Sequence, residues 1–180
     1  AEAEYDAGND GEAIAAADRA IAADARAIDA RLQKAYARER LARDASDADW
    51  DKAWSNVRRE YLAINALEND HPVPLIRYFG SFAGAGMGPT ANAVEGLEWA
   101  LVLAPFDKGL RMEVARQEAK DGKLKQAIAT LRLLVQDPHE TELAEATQKL
   151  TEELQGKLAG RTGEEEKIAG SAPENGNGGQ

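Results

Sequence analysis

The chain has 180 residues, 43% of them hydrophobic but only 6% aromatic, and a formal net charge of −10. That length allows a domain with a real core, and an apolar fraction rich in alanine suits closely packed helices better than a thick globular interior. The acidic balance argues against general nucleic-acid binding, which needs a basic face to displace counterions, no apolar run approaches the roughly 20 residues of a membrane helix, and the lack of cysteine excludes disulfides and thiolate metal sites.

Charge is unevenly spread: residues 1–25 carry a net −6, 26–59 a net +3, 60–136 a net −1 and 137–180 a net −6. Residues 1–7 lack the basic-then-apolar layout of a secretion signal. They supply only the end of a helix before a turn at Gly8, so the chain reads as starting inside a repeat, with the parent protein extending upstream of Ala1. A helix is predicted over 11–23, with Ala13, Ala17, Ala20 and Ile21 inward and Arg19 outward. The next, 28–42, is apolar at Ile28, Leu32, Ala35 and Tyr36 and basic over much of its remaining surface. A loop over 43–49 ends in Asp49, a good N-cap, and opens a helix over 50–66. Trp50, Ala53, Trp54, Val57, Tyr61 and Ile64 form its stripe.

The segment 69–74, with two prolines, reads as a break before a short apolar helix over 75–83. Its register is open between Leu75, Tyr78 and Phe82 on one side and Ile76 with Phe79 and Gly80 on the other. A glycine-rich loop over 84–89 leads to a helix over 90–103, and helices over 108–120 and 124–136 follow. Asp137, Pro138 and Glu140 make a strong helix start. The helix predicted from it, 139–154, turns Leu143, Ala146, Leu150 and Leu154 inward and many acids outward, as a capping helix should. From residue 156 the composition falls into Gly, Glu, Asn and Ser, which predicts a disordered acidic tail over 156–180.

Four of these segments say nearly the same thing. Reduced to small and apolar positions, each reads Gly-x4-Ala-x3-apolar-x2-apolar: Gly8, Ala13, Ala17, Ala20; Gly88, Ala93, Leu97, Ala100; and Gly122, Ala127, Leu131, Leu134. Ala48, Ala53 and Val57 fit with alanine in the glycine slot. The anchoring alanines Ala13, Ala53, Ala93 and Ala127 are 40, 40 and 34 residues apart, a period that marks a helical repeat array. Apolar groups three and four apart share a helix face, alanine there lets a facing helix come close, and the glycine accommodates the turn before the helix.

On these residues the chain resembles a tetratricopeptide repeat protein over roughly residues 1–138. The resemblance implies an all-α, antiparallel helix-pair solenoid of about three and a half repeats with a C-terminal capping helix, filling 1–155. The first two steps are six residues longer than the family's 34, and the aromatic usual early in the first helix of each repeat is mostly missing. Tyr78-Phe79-Gly80-Ser81-Phe82 and the run from Ala93 to Pro105 are also similar to the C-terminal repeat part of bacterial proteins with an upstream zinc-peptidase-like domain.

No catalytic, cofactor or metal site is legible. His71 and His139 both stand beside prolines in turns, and Leu143 occupies the place where His139-Glu140 would need a second histidine for a zinc helix. The glycines at 84, 86 and 88 follow a predicted helix rather than a strand and have no lysine, unlike a phosphate loop. Carboxylate pairs lie on polar helix faces without a nucleophile beside them. What remains is a surface. By the resemblance, Arg31, Lys34, Arg38, Arg58, Arg111, Arg116 and Lys120 come from helices that include those lining a concave repeat groove, and all of these but Arg58 are the candidate contacts. Interleaved acids make solubilising charge the alternative reading.

The functional expectation is therefore a non-catalytic scaffold binding a protein or peptide in its groove, the partner acidic or carboxylate-ended, with no nucleic acid and no membrane insertion. Two alternatives stay open: an accessory region of a larger hydrolase, and a self-association module, for which the acidic Glu164-Glu165-Glu166 is a candidate occupant of the groove.

Overall fold

The computed structural model describes the backbone of residues 1–134 and 141–170, and the side chains of these except Thr141 and residues 162–170. Among the described residues there are nine helices and no strand, and no helix is long and apolar enough to cross a membrane. The chain forms two compact units, Ala1–Leu110 and a second from Arg111 onward.

The first unit holds α1 (Glu2–Asp6), α2 (Asp10–Ala23), α3 (Ile28–Arg43), α4 (Trp50–Leu67), α5 (Pro72–Gly84) and α6 (Ala91–Leu103). Each helix packs on the next in chain order, and α1 touches α3 as α3 touches α5. The first helices of successive pairs thus lie side by side, the arrangement expected of short connections between antiparallel neighbours. α7 (Lys108–Lys120) begins in this unit, and its later turns belong to the second with α8 (Leu124–Leu131) and α9 (Thr141–Gly170).

The interior follows the helical spacing of the apolar residues. Ala13 and Ala17 on α2, Val57 on α4, Ala93, Leu97 and Ala100 on α6, and Ala127 and Leu131 on α8 are all buried. Ala53 is not their equal: it is half-buried, and its neighbour Trp54 lies fully inside instead. Burying an indole removes far more apolar surface from water than burying a methyl group, so the helix turns toward Trp54. Gly84, the last residue of α5, makes room for it: a Cβ there would stand 2.3 Å from Trp54 Cη2. Ala20, expected inward, is exposed.

Three of the described glycines have positive φ, Gly8, Gly86 and Gly122, and each ends a first helix of a pair with the same two bonds. The amide after the glycine donates five residues back (Asn9 N to Glu4 O, Met87 N to Phe82 O, Lys123 N to Glu118 O), and the glycine amide donates three back. This is the left-handed glycine stop of a helix C-terminus. Gly86, not Gly88, therefore corresponds to Gly8 and Gly122, and the α5–α6 connection is longer. The turn before α4 does without such a residue, since positive φ occurs only at those glycines among the described residues.

α5 starts three residues before the sequence-based expectation. Pro72 stands at its first turn and His71 is the N-cap, its Nδ1 accepting from Val73 N at 3.2 Å. The first turn of a helix has no partner for its own amides, so proline costs little there. Leu75, Tyr78, Phe79 and Phe82 are buried and Gly80 is exposed, which settles the register on the first alternative with Phe79 added. Thr90, expected as the first residue of the helix, is the N-cap of α6, its hydroxyl accepting from Ala93 N. Asp49 makes no side-chain cap to α4 and accepts from the Ser46 hydroxyl instead.

In the second unit Met112, Ala115, Leu124, Ala127, Leu131, Leu134 and Leu154 form one core, with Leu143, Leu150 and Leu158 packed against it. α8 stops at Leu131 and the chain turns through Leu134. The expected end of that helix near 136 and the start at Asp137-Pro138 lie outside the described residues. On α9 Thr147 is buried where Ala146 was expected. Its hydroxyl donates to Leu143 O at 2.6 Å, so the polar atom is satisfied within its own helix. The helix then runs on to Gly170, through residues whose composition predicts the disordered tail. Leu158 continues the stripe of Leu150 and Leu154, which offsets the roughly 1 kcal/mol that each of Gly156 and Gly160 costs in a helix. Residues 171–180 lie outside the description.

Candidate partner-binding face

The row of first helices in the first unit carries the most chemically concentrated surface. α3 places Tyr36, Glu39, Arg40 and Arg43 at i, i+3, i+4 and i+7, one face of a helix. α1 adds Tyr5 and α5 adds Arg77, and these six side chains line a cavity of about 150 Å³.

Glu39 is the buried centre of the cluster. Its Oε2 accepts from the Tyr61 phenol on α4 at 2.6 Å, and its Oε1 accepts from Arg43 Nη2 at 2.6 Å. Arg77 Nη1 stands 4.0 Å from the same Oε1. Burial of the Tyr61 ring, with negative Glu39 beside it, raises that phenol well above its ordinary pKa, and burial shifts Tyr36 the same way against the opposing pull of Arg77. The rings meet in sequence at a tilt, Tyr5 6.0 Å from Tyr36 and Tyr36 6.5 Å from Tyr61 between centroids.

Arginines cover these rings. Arg40 Cζ lies 4.1 Å over Tyr5 and Arg77 Cζ 4.8 Å over Tyr36, within range of cation–π attraction. Arg40 is further fixed by Asp10, whose carboxylate accepts from its Nε at 2.8 Å, and by Tyr5 O, which accepts from Nη2 at 2.7 Å. The hydrogen bond to Asp10 is the main reason its pKa is raised. Around the cavity stand three guanidinium groups and one carboxylate, and Arg43 and Arg77 are exposed.

The residues expected from sequence sit elsewhere. Arg31, Lys34 and Arg38 make a stripe about half a turn round α3 from the cavity side, given ~100° per residue. Arg31 donates to Ala25 O at 2.7 Å, Lys34 pairs with Asp18 at 2.6 Å, and Arg38 pairs with Glu60. Arg58 packs over the Phe82 ring at 4.8 Å. On α7, Arg116 lies 3.8 Å from Glu113, one turn back, and shares a face with the exposed Lys120. Arg111 falls on another side of that helix. The cavity residues were open to sequence reasoning only on α3, where their spacing and a lone acid between Arg38 and Arg40 set them apart. Among the described residues no group of three or more His, Asp or Glu is placed to hold a metal ion; His139 lies outside the description.

Among the described residues every element is a helix, α1 to α6 pack each on the next, and three helices end in the same glycine stop, which is a tetratricopeptide-type helical repeat fold. The solved structure of TTC0263, a thermophilic TPR protein of Thermus thermophilus, matches over 81% of this chain and 75% of its own, with a TM-score of 0.63 and 16% identity. The two share that fold. No family model matches the chain, and no curated protein does.

Proposed function

We propose that the chain is a non-catalytic interaction scaffold and that the face built by α1, α3 and α5 holds an acidic segment of a partner protein. The observation that carries this reading is the cavity of Tyr5, Tyr36, Glu39, Arg40, Arg43 and Arg77. Glu39 anchors Arg43 and stands close to Arg77 from below while leaving other guanidinium donors exposed. A partner carboxylate, from a side chain or a chain end, takes those donors in charge-assisted bonds, and the tyrosine rings supply rigid apolar walls. Arg116 and Lys120 on α7, with Arg111, are the second unit's candidate contacts. Arg31, Lys34 and Arg38 rank below Arg43 and Arg77, because they stand about half a turn round α3 and do not line this cavity.

Binding of a labelled oligo-glutamate peptide, read by fluorescence anisotropy, tests the proposal. Affinity is expected to weaken with added salt and to fall about tenfold or more in the Arg43→Ala, Arg77→Ala double variant, the loss of two charge-assisted bonds. Arg31→Ala should leave it unchanged. Amidating the peptide's C-terminus separates a chain-end contact from a side-chain one. Equal binding of an oligo-glutamine peptide, or indifference to the double variant, overturns the reading.

A further inference from the structure

α6 satisfies the fold with one face and presents another that the fold does not use. Ala93, Leu97 and Ala100 are buried. On the outward side Glu95, Trp99 and Val102 follow one another at helical spacing, and Phe106 comes three residues past the helix end. Trp99 is 52% exposed, Val102 62% and Phe106 93%. An indole, a branched aliphatic and a phenyl group within eight consecutive residues form a patch of the kind that marks an interaction site, where scattered single apolar residues do not.

The patch has an electrostatic sign. Glu95 is the charged residue on its exposed line, Asp107 adjoins Phe106, and both are exposed. α6 has no basic residue in its own last turn, where the helix dipole places partial negative charge. Lys108 is half-buried and already engaged within the chain. A second copy of the chain would bring the same acids to the contact and repel. A basic segment would be attracted.

We propose that Trp99, Val102 and Phe106 form a docking surface for an amphipathic helix with lysine or arginine beside its apolar stripe. An amphipathic helix presents its apolar side chains along one stripe, which exposed apolar groups of this kind would cover. The surface lies on a second helix of a pair, apart from the row of first helices that carries the arginine cavity, and does not depend on the proposal made for that cavity.

The test uses the full chain and two labelled model helices, one of leucine and lysine, the other of leucine and glutamate, at moderate salt. The lysine helix is expected to bind and the glutamate helix to bind at least about tenfold more weakly. Val102→Glu and Phe106→Glu add negative charge, so simple attraction between an acidic protein and a basic peptide would strengthen with them. Docking on the apolar stripe predicts the opposite, a loss of about tenfold or more. Leu62→Glu, an exposed apolar position on α4, should change nothing, and circular dichroism melts check that the variants fold. Equal binding of the two helices, or lysine-helix binding that Phe106→Glu leaves intact or strengthens, overturns the proposal. So does concentration-dependent self-association that Phe106→Glu abolishes, which would make a second copy the occupant.

Discussion

The Tyr61 phenol donates to Glu39 Oε2 at 2.6 Å, joining α4 to the buried acid that also anchors Arg43 on α3. Two consequences follow for stability. Replacing Tyr61 with phenylalanine keeps the ring and removes the donor, leaving one oxygen of a buried carboxylate without its partner. Such losses cost about 1.5–3 kcal/mol, and a chemical-denaturation midpoint shift with unchanged slope would show it. A Tyr61→Phe variant as stable as the parent would mean that another donor takes the place of the phenol at Glu39.

The same pair sets an alkaline limit. An unfolded tyrosine ionises near pH 10, by its ordinary value of about 10, whereas the buried Tyr61 phenol is held protonated to much higher pH. Above that point the unfolded chain binds fewer protons than the folded one, so stability falls as pH rises. Below it the contribution is complete. The slope approaches about 1.4 kcal/mol per pH unit from this group, and Tyr36 adds in the same direction. Urea unfolding between about pH 8 and about pH 11 should show the decline, flattened in Tyr61→Phe. A profile identical in both proteins would exclude Tyr61 as its source.

Gly84 and Gly80 on α5 make a matched pair. A Cβ at Gly84 meets Trp54 Cη2 at 2.3 Å, whereas one at Gly80 meets nothing within 4 Å. Trp54 is fully buried and has no free space to yield. Gly84→Ala should cost about 1–3 kcal/mol by overpacking, while Gly80→Ala should stabilise by up to about 1 kcal/mol through helix propensity. Thermal melts that move the same way for both would show that Trp54 gives way.

The repeat was legible because it rests on local rules. Ala13, Ala93 and Ala127 sit at helical spacing from their buried neighbours, and a fully buried alanine is what a close helix crossing requires. The template misread Ala53 because it treats adjacent small and aromatic residues alike, and burial area decides between them in favour of Trp54. It chose Gly88 over Gly86 because three glycines in five residues look alike until a backbone shows which has positive φ. α9 ran further than composition suggested because Leu158 finds the core of α7 and α8, a contact that no local window contains. The arginine cavity was hidden for the same reason. Tyr5, Tyr36 and Arg77 come from three helices, and only packing brings them to one place.

Close packing at α6 gives a direct check of the helix faces. Ala93 and Ala100 are fully buried, so Ala93→Leu or Ala100→Leu should cost about 1–3 kcal/mol. Glu95 points outward, and Glu95→Ala should stay within about 0.5 kcal/mol. Glu98 on the same helix is half-buried and engaged and is not the proper control. Equal melting shifts at Ala93 and Glu95 would mean that the wrong face of α6 is packed.

Truncating α9 at three places separates its structural part from its acidic part. Leu158 packs on the core of the second unit, and Arg161 Nη1 donates to Gly122 O at 3.3 Å. Ending the chain after residue 170 should leave stability within about 0.5 kcal/mol. Ending it after 161 keeps both contacts and removes Glu164-Glu165-Glu166. Ending it after 155 removes the contacts as well, and exposing the surface that Leu158 covers should cost about 1–2 kcal/mol. If the acidic triplet occupies a basic face in its own molecule or a neighbour, the 161 truncation changes sedimentation or oligo-glutamate binding, and salt diminishes the difference. Stability lost only at 155, with sedimentation and peptide binding the same for 161 and 170, would make α9 a structural cap and remove the triplet from any role in the groove.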